Sequence, residues 1–179
     1  MRGPFSDRTS RLFIFSQLFV WPALAACIAG MLGVRLNLTA SVPIGLYLTS
    51  SSPKARFAEF CPPEPFGSMS VNRGYRRRSA GCPDHGEPLL KPIIARAGDL
   101  VEVTSDGIRV NGSPIPSTRA LPEDSACRPL SPWPIGLYHV GPGSVWVASS
   151  YNPRSFDSRY FGPIRLTDIK SRLRPLWVD

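Results

Sequence analysis

Ser41 stands two residues before the proline of Pro43-Ile44-Gly45-Leu46-Tyr47, at the start of a turn that a Pro/Gly pair favours. A hydroxyl is a weak nucleophile at its own pKa and needs a base beside it. Histidine is the usual base, and the chain has 2. His85 lies in the loop-like Pro83-Asp84-His85-Gly86, and His139 has no carboxylate pattern around it. Lysine takes the role when burial among apolar groups lowers its pKa from about 10.4 toward neutrality. Of Lys54, Lys91 and Lys170, only Lys91 has such a setting, in Leu89-Leu90-Lys91-Pro92-Ile93-Ile94. Ser41 and Lys91 are therefore the candidate nucleophile and base. The structural alternative for Lys91 is a strand-end lysine whose amine reaches water.

The pentapeptide recurs at Pro134-Ile135-Gly136-Leu137-Tyr138, where Pro132 occupies the place of the serine. The repeat separates two jobs. A turn feeding a strand is common to both copies, and only the first can carry chemistry.

The elements that must position this pair are short. The chain of 179 residues contains 20 prolines and 15 glycines, which predicts many turns and few long helices. Its length allows one domain plus an anchor. Residues 12–34 carry no charge and reach the roughly 20 apolar residues a membrane helix needs. Arg2, Arg8 and Arg11 precede them and Arg35 follows. That bias places residues 1–11 in the cytoplasm and residues 36–179 outside, in a bacterium the periplasm. Pro22 is tolerable inside a membrane helix. Ala23-Leu24-Ala25 resembles a signal-peptide cleavage site and Leu24-Ala25-Ala26-Cys27 a lipoprotein box. The apolar run continues past both to Val34, so the length favours an uncleaved inner-membrane anchor in contact with lipid.

The net charge of +8 comes mostly from arginine. The cluster Arg73, Arg76, Arg77 and Arg78 has only Tyr75 interleaved, and no nucleic-acid-binding motif accompanies it, so no nucleic acid is expected. Outside the anchor remain Cys61, Cys82 and Cys127. An oxidising compartment permits a disulfide, and Cys61 with Cys82 would staple the Pro/Gly/Arg-rich stretch between them. With two histidines and no zinc-like cysteine spacing, neither metal nor cofactor is expected.

Strands are predicted over residues 44–49, 91–95, 100–103, 108–110, 137–140 and 144–148. Ser105-Asp106-Gly107 closes a hairpin, and Ala97-Gly98-Asp99 and Asn111-Gly112 are further turns. Residues 50–88 read as an irregular inserted loop or cap. The fold class is mainly β, short strands in coiled sheets behind one N-terminal helix.

Several segments, taken in order, resemble the serine–lysine signal peptidase superfamily, and within it the conjugal-transfer TraF branch of maturation peptidases. After the anchor comes Asn37-Leu38-Thr39-Ala40-Ser41-Val42-Pro43-Ile44-Gly45-Leu46-Tyr47, similar to that branch's nucleophile box. Lys91-Pro92-Ile93-Ile94-Ala95-Arg96-Ala97-Gly98-Asp99 resembles the lysine box with its Gly-Asp turn. Val110-Asn111-Gly112 matches the family's strand and turn, and Ser155-Phe156-Asp157-Ser158-Arg159-Tyr160-Phe161-Gly162 is very like its last box. General signal peptidases carry Ser-Met-x-Pro at the nucleophile, and this chain departs from them.

The resemblance implies a signal-peptidase-like fold and a serine endopeptidase with Ser41 as nucleophile and Lys91 as general base. It implies that Asp157 either orients the lysine or holds the last box together through Arg159. It also implies oxyanion donors in the Ser41 backbone N–H and the Thr39 hydroxyl. Pro43 and Gly45 shape the backbone beside the substrate, and Gly98 and Asp99 support the lysine strand. The implied substrate is a pilin-like precursor, joined head to tail after the cut. The alternatives are a general signal peptidase and a non-catalytic scaffold of a pilus or secretion apparatus.

Overall fold

The computed structural model describes the backbone of residues 5–178 and the side chains of residues 17–178. Contacts divide the chain into two units, residues 1–35 and residues 36–179. The first is the helix α1 (Phe5–Met31), 27 residues with Pro22 inside it. Its described apolar side chains Leu18, Phe19, Trp21, Leu24 and Ile28 are exposed. The expected anchor over residues 12–34 begins among side chains outside the described ones. Arg2 and the side chains of Arg8 and Arg11, which carried the orientation argument, also lie outside. Among the described residues no helix is long and apolar enough to cross a membrane.

The second unit is mainly β. Its elements run β1 (Val34–Asn37), β2 (Gly45–Thr49), β3 (Phe57–Phe60), α2 (Phe66–Asn72), β4 (Leu89–Ala95), β5 (Leu100–Thr104) and β6 (Gly107–Val110). Then follow β7 (Ser113–Pro114), β8 (Gly136–His139), β9 (Ser144–Val147), α3 (Ser158–Phe161), β10 (Ile164–Arg165), a 3-10 turn (Leu166–Asp168) and β11 (Ile169–Val178). A seven-stranded sheet has the order β1-β2-β11-β3-β4-β9-β10, and a four-stranded one the order β7-β6-β5-β8. The expected hairpin is β5–β6, with Thr104 opposite Gly107. The two expected turns at its base are bonded to each other. The Asn111 amide donates to Asp99 Oδ1 at 2.8 Å, and the Leu100 N–H donates to Asn111 Oδ1 at 2.8 Å.

One segment differs from its sequence reading, and one had none. Residues 50–88 are not an irregular insertion throughout: they contain β3 and α2. β3 lies inside the large sheet because Phe57, Ala58 and Phe60 are all buried, and burial on both faces hides the alternation that betrays a half-exposed strand. The tail after Leu166, which carries no distinctive motif, forms β11 between β2 and β3. Its neighbours lie more than a hundred residues back in the chain, so nothing local announces it.

Three apolar clusters hold this frame. Phe60, Val147, Phe156 and Phe161 belong to one that joins β3, β9 and α3. Val101, Ile108 and Trp146 belong to a second, under the small sheet. Val42, Tyr47, Phe57 and Leu173 form the third, beneath the turn after Ser41, with the Tyr47 and Phe57 rings edge to face at 5.3 Å.

The rest of residues 61–88 is a cap built on polar contacts. Cys61 and Cys82 are joined in a disulfide, while Cys27 and Cys127 are free and exposed. Arg76, buried, pairs with Asp84 at 2.6 Å and donates to the Gly67 and Glu87 carbonyls. The cap docks through Tyr75, whose ring centroid lies 5.3 Å from that of Phe156. A cross-link over a sequence separation of 21 restricts the unfolded chain by about 3 kcal/mol. Replacing both Cys61 and Cys82 by Ser is therefore expected to lower unfolding free energy by about that amount. Urea titration checks it: the reduced parent should unfold at the same midpoint as the double variant.

Candidate active site

β4 brings Lys91 into the interior of the large sheet, opposite Ala58 of β3. Only 3% of its surface is exposed. Its amine donates to Ser155 Oγ at 2.7 Å. Burial drives the amine down from its ordinary value to about 8, against the pull of the Asp157 carboxylate and helped by the Arg159 guanidinium. This is the dry, easily deprotonated lysine that base catalysis needs, and it does not reach out to water. Ser155 opens the last box but had no role in the sequence reading. Its place two residues before Asp157 was the one available sign.

Asp157 faces Arg159. It caps α3, its Oδ1 accepting from the Arg159 N–H at 3.3 Å and from Arg159 Nε at 2.8 Å. Its Oδ2 accepts from the Ser149 N–H and from an Arg159 terminal nitrogen, both at 3.0 Å. Arg159 also donates to the carbonyls of Pro153, Ser117 and Ser149. Both residues are essentially sealed from solvent, and Ser158 Oγ accepts from the Val147 N–H of β9 at 2.9 Å. The box is thus a self-satisfied unit that fixes the loop carrying Ser155. Asp157 acts on Lys91 through charge and through this loop, with no hydrogen bond between them.

Gly98 takes φ +94°, and Asp99 Oδ2 accepts from the Arg96 N–H at 2.7 Å. The pair closes the turn that ends the lysine strand.

Ser41 is half-buried in the turn between β1 and β2. Among the described residues its hydroxyl makes no hydrogen bond, and Lys91 bonds to Ser155, not to Ser41. Catalytic bonds of this type are often long or misaligned before substrate arrives. The Thr39 hydroxyl donates to Asn37 Oδ1 at 2.8 Å, so its one proton must be redirected before it can meet an oxyanion. The Pro43 carbonyl accepts from the Tyr47 hydroxyl at 2.7 Å. Burial, with Tyr151 nearby, pushes the Tyr47 phenol up to about 12, so it keeps that proton. Gly45 has φ +143°, and a Cβ there would lie 2.2 Å from the Trp177 carbonyl oxygen of β11. Only glycine allows β11 to pair so closely beside the turn.

A model of the family described as "Signal peptidase, peptidase S26" matches residues 13–177. A plasmid transfer protein TraF of Escherichia coli is 40% identical over 149 residues, 80% of this chain and 82% of that protein. A conjugal transfer protein TraF of Agrobacterium fabrum is 34% identical over 159 residues, 86% of this chain and 88% of that protein. A signal peptidase I of Mycobacterium tuberculosis is 35% identical over 91 residues, 48% of this chain and 31% of that protein. With a buried lysine, a serine-bearing turn and matches of this extent, the chain belongs to the signal peptidase family, peptidase S26, within the branch of the TraF conjugal-transfer proteins.

Proposed function

We propose that the protein is a membrane-anchored serine endopeptidase that matures a pilin-like precursor for conjugative transfer, with Ser41 as nucleophile and Lys91 as base. The observation that carries this reading is the amine of Lys91, buried and held at about 8. A neutral amine that gives one hydrogen to Ser155 Oγ still has its lone pair free for the proton of Ser41. Ser41 Oγ then bonds to the scissile carbonyl carbon while its proton passes to Lys91 Nζ. The oxyanion is met by the Ser41 N–H and by Thr39 once its hydroxyl turns from Asn37. Collapse breaks the C–N bond, Lys91 returns the proton to the leaving amine, and an ester remains on Ser41.

Water or the precursor's own N-terminal amine opens that ester, Lys91 again taking the attacking group's proton and returning it to Ser41 Oγ. An amine gives a ring, water a linear chain. The TraF relatives favour a role in plasmid transfer, and the pilin-like substrate and the ring are what the resemblance of the Ser41 box implies. The exposed apolar side chains of α1 favour an inner-membrane anchor, and the Cys61–Cys82 bond favours a periplasmic position for residues 36–179. The substrate's extended segment would pair with a strand edge, which accounts for a short recognition sequence.

Ser41→Ala is expected to leave the protein folded and in the membrane fraction while precursor processing stops. Continued processing would overturn the assignment. The mass of the matured product decides its form, since a linear chain is heavier than the ring by one water. The absent Ser41–Lys91 bond favours one second reading, a non-catalytic scaffold. On that reading transfer would survive Ser41→Ala. A panel of exported precursors separates a general signal peptidase from one confined to pilin.

A further inference from the structure

We infer that Asn37 is a positioning residue for the nucleophile. Its side-chain amide holds the backbone of the Ser41 turn in the shape that presents the serine. This inference rests on the reading of Ser41 as nucleophile.

Residues 38–44 form no regular structure, so their backbone groups need partners from outside a ladder. Asn37, at the end of β1 and 6% exposed, supplies them. Its Nδ2 donates to the carbonyls of Thr39 at 2.8 Å, Val42 at 3.2 Å and Pro43 at 3.1 Å. Its Oδ1 accepts from the Thr39 N–H at 3.2 Å and the Thr39 hydroxyl at 2.8 Å. One side chain thus ties together the carbonyls on both sides of Ser41. Its orientation follows from the chemistry. Turning the amide over would set an oxygen against three carbonyl oxygens and an NH2 against an N–H.

The repeated pentapeptide is an internal comparison. In the first copy the Tyr47 hydroxyl donates to the Pro43 carbonyl at 2.7 Å; in the second the Tyr138 hydroxyl donates to the Pro134 carbonyl at 2.7 Å. That clamp is a general feature of the turn. The residue six before Pro43 is Asn37, whereas the residue six before Pro134 is Arg128, which bonds to Asp124 and to the Arg73 carbonyl. The asparagine scaffold belongs only to the copy that contains the serine. Asn37 bonds to neither Ser41 nor Lys91, and the Thr39 hydroxyl that it accepts from is the one group of the proposed oxyanion site it meets. It acts by fixing where Ser41 Oγ and the Ser41 N–H point, and a displacement of about 1 Å there costs about a hundredfold in rate.

The test is acylation of the full-length protein by a penem ester, followed by intact-mass spectrometry, with kinact and KI separated and the pH profile recorded. Asn37→Asp, an isosteric change that loses the donors, and Asn37→Ala are both expected to lower kinact about 10- to 100-fold. KI should stay within about threefold, and in Asn37→Ala, which adds no charge, the pH midpoint should not move, because Lys91 is untouched. Tyr138→Phe, which loses a comparable bond in the second copy, should leave kinact unchanged. An unchanged kinact in both Asn37 variants, with only a lower melting temperature, would overturn the inference. So would loss of a cooperative unfolding transition in both, which would make Asn37 a folding residue. Acylation that persists in Ser41→Ala, or no acylation of the parent, would instead overturn the nucleophile assignment beneath it.

Discussion

Lys91→Met is expected to stop precursor processing and to make the fold more stable at pH 7. The amine is held at about 8 in the folded protein against an ordinary value of 10.5, chiefly because burial penalises its charge. Below about 8 the lysine is protonated both folded and unfolded, and the folded state carries the whole cost of a buried ammonium. Between about 8 and about 10.5 the unfolded chain holds the proton and the folded one has released it, so stability rises with pH. Above that range the amine is neutral in both states and the cost is gone. The shift corresponds to about 3 kcal/mol, from which the lost bond to Ser155 subtracts roughly 1 kcal/mol.

Lys91→Met should therefore gain about 2 kcal/mol at pH 7 and lose about 1 kcal/mol near pH 11, where the charge cost is gone and only the missing bond to Ser155 remains. Denaturant titrations at the two pH values measure it. A variant that is less stable at pH 7 would mean that the site does not strain the lysine. The same charge state governs rate: processing by the parent should rise with pH and level off above about 8. Lys91→Arg should be inactive throughout, because a guanidinium does not give up its proton in this range.

Arg159→Leu is expected to be the most destabilising single change in the box. Asp157 is fully buried and Arg159 nearly so, and they pair at 2.8 Å. Removing the cation leaves a carboxylate without its counter-charge, at a cost of about 3–5 kcal/mol. It also strips the carbonyls of Pro153, Ser117 and Ser149 of their donor. Domains of this size are stable by only about 5–15 kcal/mol, so much of the variant should be unfolded at 37 °C, as thermal melts followed by circular dichroism would show. A melting temperature within a few degrees of the parent would refute the structural account of the box.

Asp157→Asn separates structure from catalysis at the same place. Asp157 raises the lysine value and Arg159 lowers it. Removing the carboxylate should shift the pH midpoint of the remaining activity below about 8. Activity per folded molecule should survive, since the carboxylate does not touch the amine.

How much of this was legible in the sequence depended on how local each signal is. Lys91 could be singled out because leucines and isoleucines surround it in the chain, the mark of a strand that enters the sheet. The serine-bearing turn, the β5–β6 hairpin and the Gly98–Asp99 turn could be read because Pro, Gly and Asn-Gly restrict the backbone within a few residues. The cap was marked by its prolines and its cysteine pair. β3 was lost in the same stretch because it is buried on both sides.

What the chain alone determined was therefore which residues could react and where the backbone must turn. Only the tertiary structure decided what they touch. The hydroxyl that receives the lysine's hydrogen bond lies 64 residues further on, and Asp157 turns to Arg159, two residues away, rather than to the lysine. The tail completes the large sheet from the far end of the chain. Periodicity and turn chemistry act over a few residues, whereas partners across a sheet are chosen by burial and hydrogen-bond satisfaction summed over the whole fold.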